Sequence, residues 1–190
     1  MSPKELLVAV TDILRELEIP YAVTGGFAVT IWGVPRYTAD IDIVIELADN
    51  NIKPLVKKLL AIDNNAYADE DMAREAFIYH GEFNFIHSET GFKVDFFVQD
   101  DQSYSKLKMQ RAVLRDVYGP GISFISPEDL ILSKLAWSKE SMSDKQHEDI
   151  KNVLRNDKLK LDMNYIEKWA VKHDTIKVLK MLIEQVKLEK

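Results

Sequence analysis

Tyr21-Ala22-Val23-Thr24-Gly25-Gly26, followed by Arg36-Tyr37-Thr38-Ala39-Asp40-Ile41-Asp42-Ile43-Val44-Ile45, is the stretch on which the fold turns. The first block reads as a short strand running into a double glycine that starts a helix. The second reads as an apolar strand whose beginning carries two carboxylates. Strand side chains alternate faces, so Asp40 and Asp42 share one face and Ile41, Ile43 and Ile45 the other. Like charges this close repel unless something positive lies between them. A divalent cation such as magnesium suits the place, because hard ions take carboxylate oxygens and leave room for substrate phosphates.

A third aspartate stands in a second apolar run, Phe92-Lys93-Val94-Asp95-Phe96-Phe97-Val98. A carboxylate amid such neighbours costs several kcal/mol, about, if unpaired, so Asp95 needs a partner. It either joins Asp40 and Asp42 at a metal, pairs with Lys93 on its own face, or caps a loop. Gly25-Gly26 suits a phosphate, since glycine lets the backbone approach closely and a helix start offers free N–H groups; a simple tight turn is the other reading. Arg36 and Thr38 sit on the same rim. Arginine grips a phosphate with two hydrogen bonds and the threonine hydroxyl adds another; alternatively Arg36 neutralises the nearby carboxylates.

Outward from this core the chain alternates helices and strands. Ser2-Pro3 caps an amphipathic helix that Pro20 ends, and a helix over about 52–61 follows the aspartate strand. The polar segment 63–75 reads as a loop or irregular helix. Strands are expected over 77–80, 82–87 and 92–98, with a hairpin formed by 112–118 and 122–125. Ser126-Pro127-Glu128-Asp129 is a helix start, and the pattern is helical from there on, with a break near 138–143. These features predict a mixed α/β part over residues 1–125 and a helical part over 126–190.

The 190 residues hold no cysteine and carry a net charge of −6. Disulfides and thiolate metal sites are excluded, and general attraction to nucleic acid is weak. The charge is uneven: residues 151–190 carry +4 and the first 150 carry −10. A basic helical region touching an RNA backbone and plain solvated helix faces both account for that. Apolar runs fall short of the roughly 18 residues a membrane span needs. The start Met1-Ser2-Pro3-Lys4-Glu5 lacks the apolar block of an export signal, so a cytoplasmic location is expected.

The segment from Gly25 to Asp42, with Asp95 as third carboxylate, resembles the signature of the DNA polymerase β-like nucleotidyltransferase superfamily. The wording Gly25-Gly26-Phe27-Ala28-Val29 with Gly33, Arg36, Thr38, Asp40 and Asp42 is most similar to its abortive-infection toxin-type branch. The resemblance continues through Pro127-Glu128-Asp129-Leu130-Ile131-Leu132-Ser133-Lys134-Leu135 to Asp149-Ile150, covering most of residues 20–155. It implies the nucleotidyltransferase fold, a mixed central sheet flanked by helices with a helical C-terminal subdomain. It further implies Asp40, Asp42 and Asp95 as ligands of two magnesium ions (manganese being the alternative), and Gly25 and Gly26 as the triphosphate turn. Roles for Lys134 and Asp149 follow from the same resemblance, Lys134 in phosphate binding and catalysis and Asp149 in catalysis. By the residues alone, Lys134 could equally snorkel at the edge of an amphipathic helix. Gly26 departs from the pattern, since many members have serine there.

The implied activity moves a nucleoside monophosphate from a nucleoside triphosphate such as ATP to an acceptor hydroxyl, with Asp95 as base. RNA or protein is the acceptor the toxin-type resemblance implies, with a separately encoded antitoxin as partner. An aminoglycoside-like small molecule is the alternative. So is a nucleotide-binding module without turnover, motivated by Gly26. A glycosyltransferase also uses Asp-x-Asp, but nothing ahead of the motif would build a nucleotide-sugar domain.

Overall fold

The structure is a computed structural model that describes residues 1–38, 40–141 and 143–189. Its elements begin with α1 (Pro3–Glu16), β1 (Tyr21–Val23), α2 (Gly25–Trp32), β2 (Ile41–Ile45), α3 (Asp49–Leu60), β3 (Tyr67–Ala68), α4 (Glu70–Tyr79) and β4 (Glu82–Ile86). They continue with β5 (Lys93–Val98), α5 (Ser103–Gln110), β6 (Val113–Arg115), β7 (Ile122–Phe124), α6 (Pro127–Ser141), α7 (Asp144–Leu154), α8 (Met163–Lys172) and α9 (Ile176–Leu188). The expected break near 138–143 includes Met142, which lies outside the described residues.

The chain divides into two compact units, Met1–Phe27 with Tyr37–Ile125, and Ala28–Arg36 with Ser126–Lys190. The first holds the whole sheet, in the order β3-β4-β5-β2-β1-β7-β6. It is mixed: β2 runs parallel to β5 but antiparallel to β1, and β1 runs parallel to β7. One face is core. Ile41, Ile43 and Ile45 of β2 and Val94 and Phe96 of β5 are fully buried, each such side chain worth roughly 1.5–3 kcal/mol. Phe83 of β4 stacks on Phe96, its register partner, at 4.9 Å between ring centroids. Alternation then forces Asp42, Lys93, Asp95 and Asn84 onto the opposite, half-buried face.

Within this unit α1 starts as the sequence indicates. Ser2 and Glu5 form a reciprocal cap, Glu5 N–H donating to Ser2 Oγ at 3.3 Å and Ser2 N–H to Glu5 Oε2 at 2.6 Å. The strand expected over 77–80 is instead the end of α4. Asp69 caps that helix, Glu70 and Asp71 suit its positive N-terminus, and His80 ends it in the left-handed region at φ 51°. The helix buries Ala73 and Ala76 and leaves the β-prone Ile78 and Tyr79 exposed. Caps and an alanine face thus prevail over the β-preference of four residues. Of the loop or irregular helix expected over 63–75, the helical alternative holds from Glu70 on, where α4 begins, and β3 lies before it.

In the second unit α6 begins at Ser126, whose Oγ accepts the Asp129 N–H at 3.1 Å and donates to Asp129 Oδ2 at 2.7 Å. Tyr165 of α8 donates its hydroxyl to Asp129 Oδ1 at 2.7 Å. Residues 28–36 belong with these helices because Asn156 donates its side-chain N–H to the Trp32 carbonyl at 2.8 Å and Arg36 reaches Asp149.

Candidate active site

Asp42 of β2 and Asp95 of β5 stand directly opposite each other in the parallel ladder. Neighbouring strands lie about 4.8 Å apart, so the two carboxylates leave the sheet side by side. Asp40 is exposed and immediately precedes β2 rather than lying within it. Unrelieved, these charges would destabilise the sheet, as like charges opposite one another do. Lys93, two residues before Asp95 on the same face, relieves them: its Nζ lies 2.9 Å from Asp95 Oδ2. The hydrogen bond to Asp95 pushes the Lys93 ammonium's pKa up against the effect of burial, and the charges of Asp95, Asp40 and Asp42 add to the rise.

Of the three carboxylates, Asp95 is paired with Lys93, Asp42 is the register partner of Asp95, and Asp40 stands just before β2. Among the described residues no three His, Cys, Asp or Glu side chains are already gathered as a metal site. The donor set nevertheless fits a hard divalent cation, since the lysine shows that positive charge accumulates beside these oxygens.

The double glycine answers to packing. Gly25 starts α2 at φ +58°, and a Cβ there would fall 1.7 Å from Asp42 Oδ2. Asp42 thus holds its carboxylate against the first residue of α2, whose first turn contains no acid and whose N-terminus favours negative charge. At Gly26 a Cβ would meet Thr38 Oγ1 at 2.6 Å and Thr38 Cβ at 2.8 Å. The Thr38 side chain fills the space that a serine at position 26 would enter, and its hydroxyl donates to the Asp40 carbonyl at 3.1 Å. Gly26→Ser is accordingly expected to destabilise the protein by about 1–3 kcal/mol through overpacking. Gly26→Ser combined with Thr38→Gly should recover part of that loss, read from paired thermal melts; equal melts for the single and double variants would refute the packing account.

Arg36, Lys134 and Asp149 meet in the second unit. Arg36 grips Asp149 with two parallel bonds, Nε to Oδ1 at 2.8 Å and Nη2 to Oδ2 at 2.9 Å. Lys134 Nζ lies 2.7 Å from Asp149 Oδ2 and 5.5 Å from the centroid of the Trp137 ring. The Asp149 side chain is 2% exposed, that of Lys134 4% and that of Arg36 25%. Lys134 therefore does not snorkel: a buried carboxylate holds it. Arg36 thus pairs with a residue 113 positions away in the sequence. Burial raises the pKa of Asp149, but the hydrogen bonds and charges of Arg36 and Lys134 outweigh it and hold the carboxyl below the ordinary value.

Sequence reading missed Asn84, the register partner of Asp95 on its other side. Its signal was faint, a lone amide between two phenylalanines in a half-buried strand. With it the row across the sheet reads Asp42, Asp95, Asn84.

No protein-family model and no curated protein sequence matches the chain. Solved structures do. The crystal structure of ANT(2″)-Ia in complex with adenylyl-2″-tobramycin is 15% identical, with a TM-score of 0.60 over 90% of this chain and 96% of that one. The lincomycin-bound lincosamide antibiotic adenylyltransferase LnuA is 17% identical, with a TM-score of 0.54 over 78% and 94%. An antigenic nucleotidyltransferase-like protein from Paracoccidioides brasiliensis is 23% identical, with a TM-score of 0.50 over 81% and 76%. At such identities the likeness establishes the nucleotidyltransferase fold.

Proposed function

We propose that the chain is a nucleotidyltransferase moving a nucleoside monophosphate from a nucleoside triphosphate to an acceptor hydroxyl. One observation carries this reading: Asp42 and Asp95 stand at one register beside the glycine start of α2, in a nucleotidyltransferase fold. Asp95 takes the proton of the acceptor hydroxyl as its oxygen bonds to the α-phosphorus. The bond from that phosphorus to the bridging oxygen breaks, and pyrophosphate leaves with the electron pair. Gly25 and Gly26 hold the triphosphate at the helix start, with Thr38 packed against Gly26. Asp40, Asp42 and Asp95 would hold magnesium or manganese, which when bound supplies Lewis-acid stabilisation of the phosphoryl oxygens. We assign Arg36 and Lys134, both held on Asp149 within the second unit, to phosphate contact. Asp149 is then a positioning residue, its oxygens already committed to the two cations.

A toxin role and an antitoxin partner draw no support from the structures to which the chain is similar. The test supplies each α-labelled nucleoside triphosphate with magnesium and a cell extract, and follows both label and pyrophosphate. Label fixed on RNA, protein or a small molecule, with stoichiometric pyrophosphate, is the expected result. No pyrophosphate from any nucleotide overturns the reading. The Lys93–Asp95 pair favours a second reading, a module that binds nucleotide without turnover. Calorimetric nucleotide binding without pyrophosphate release selects it.

A further inference from the structure

The polar row of the sheet does not stop at Asn84. Tyr67 and Ala68 of β3 pair with Ile86 and Phe85 of β4, which carries Asp69, the next residue, toward Asn84. Beside this extension lies a cavity of about 180 Å³ whose lining includes Tyr67, Asp69, Met72, Glu82, Asn84 and Asp95. The cavity thus shares Asp95 with the site described above. An acceptor hydroxyl has to come within hydrogen-bond reach of its base, and this cavity offers it room to do so.

We propose that this cavity is the acceptor subsite and that it takes a cationic, hydroxyl-bearing ring, an amino sugar or amino cyclitol in chemistry. The inference rests on the nucleotidyltransferase reading and adds the acceptor's class. Size argues for a small group: pockets for whole drug-sized ligands run to roughly 300–1,000 Å³, so this one accommodates about one ring. Charge argues for a cation. Among the described residues the lining carries three carboxylates, Asp69, Glu82 and Asp95, against the one ammonium of Lys93 that pairs with Asp95, which leaves it acidic. An RNA end would bring phosphates against those carboxylates, whereas an ammonium gains charge-assisted hydrogen bonds from them. Tyr67 and Met72, both about half exposed, supply apolar surface for the carbon skeleton of a ring. Asn84, between Asp95 and Asp69, has both a donor and an acceptor with which to orient hydroxyls. The acceptor expected from the toxin-type resemblance, RNA or protein, fits this lining less well.

The experiment offers the wild-type protein labelled nucleoside triphosphates with tobramycin, with sorbitol, with a short RNA ending in a free 3′ hydroxyl, and with cell extract. Label on tobramycin but not on sorbitol or RNA is expected. Pyrophosphate release with label on RNA or on protein alone overturns the acceptor assignment and leaves the nucleotidyltransferase reading standing. No release in any arm overturns both. Glu82→Gln and Asp69→Asn, the second keeping an N-cap side chain for α4, are each expected to raise the KM for tobramycin about tenfold or more, by loss of a charge-assisted contact. An unchanged KM in both folded variants removes the cavity from the acceptor path.

Discussion

Asp42→Asn is expected to lower nucleotide transfer about a thousandfold while leaving the melting temperature equal or higher. The loss follows from charge: stabilisation of a transferring phosphoryl group is worth several kcal/mol, and each 1.4 kcal/mol is about tenfold in rate. The amide keeps the shape of the carboxylate, so the close packing against Gly25 survives. It also removes one of two like charges facing each other across β2 and β5, which relieves repulsion. Pyrophosphate release and thermal unfolding measured on the same preparation separate the two effects. Undiminished transfer in a folded Asp42→Asn protein would end the catalytic interpretation. Gly25→Ala should act on the same contact from the other side, forcing the carboxylate away and straining a residue held at φ +58°.

The second large effect is on stability. Asp149→Asn should cost about 3–5 kcal/mol, because it removes the buried carboxylate that the buried Lys134 and the partly buried Arg36 share. For a chain of this size that is on the order of 10 °C in melting temperature. Removing a cation together with the carboxylate, as in Asp149→Leu with Lys134→Met, should cost less than the sum of the two single changes, and a double-mutant cycle measures the difference. The pH dependence has a definite sign. The folded-state pKa of Asp149 is depressed, so its contribution is fully present above the unfolded carboxyl value near 3.9 and lost as pH falls through the folded one. The stability gap between wild type and Asp149→Asn should therefore stay constant from neutral pH to about 4 and close below it. A gap that closed between pH 5 and 7 would refute the ion-pair account.

How much of this was legible in the chain varied with the range of the interaction. The caps at Ser2 and Ser126 were readable because each involves residues three apart. The aspartate strand was readable because alternation separates its isoleucines from Asp42 without reference to anything else. The segment 77–80 misled, since its β-prone side chains said nothing of the Asp69 cap and buried alanines that make it helical. The partner of Arg36 was beyond reach, because Asp149 lies 113 residues on and only the packing of α7 presents it.

By itself the sequence determined the glycine turn, the acidic strand edge and the alternation of helix and strand, since these follow from backbone sterics and side-chain periodicity over a few residues. Tertiary structure decided the rest. The parallel register of β2 with β5 sets Asp42 against Asp95, Asn84 continues that row, and Thr38 occupies the space above Gly26. Lys93 holds Asp95, and Asp149 holds two cations. Those pairings depend on strand register, helix packing and desolvation, which belong to the folded chain and to no short stretch of it.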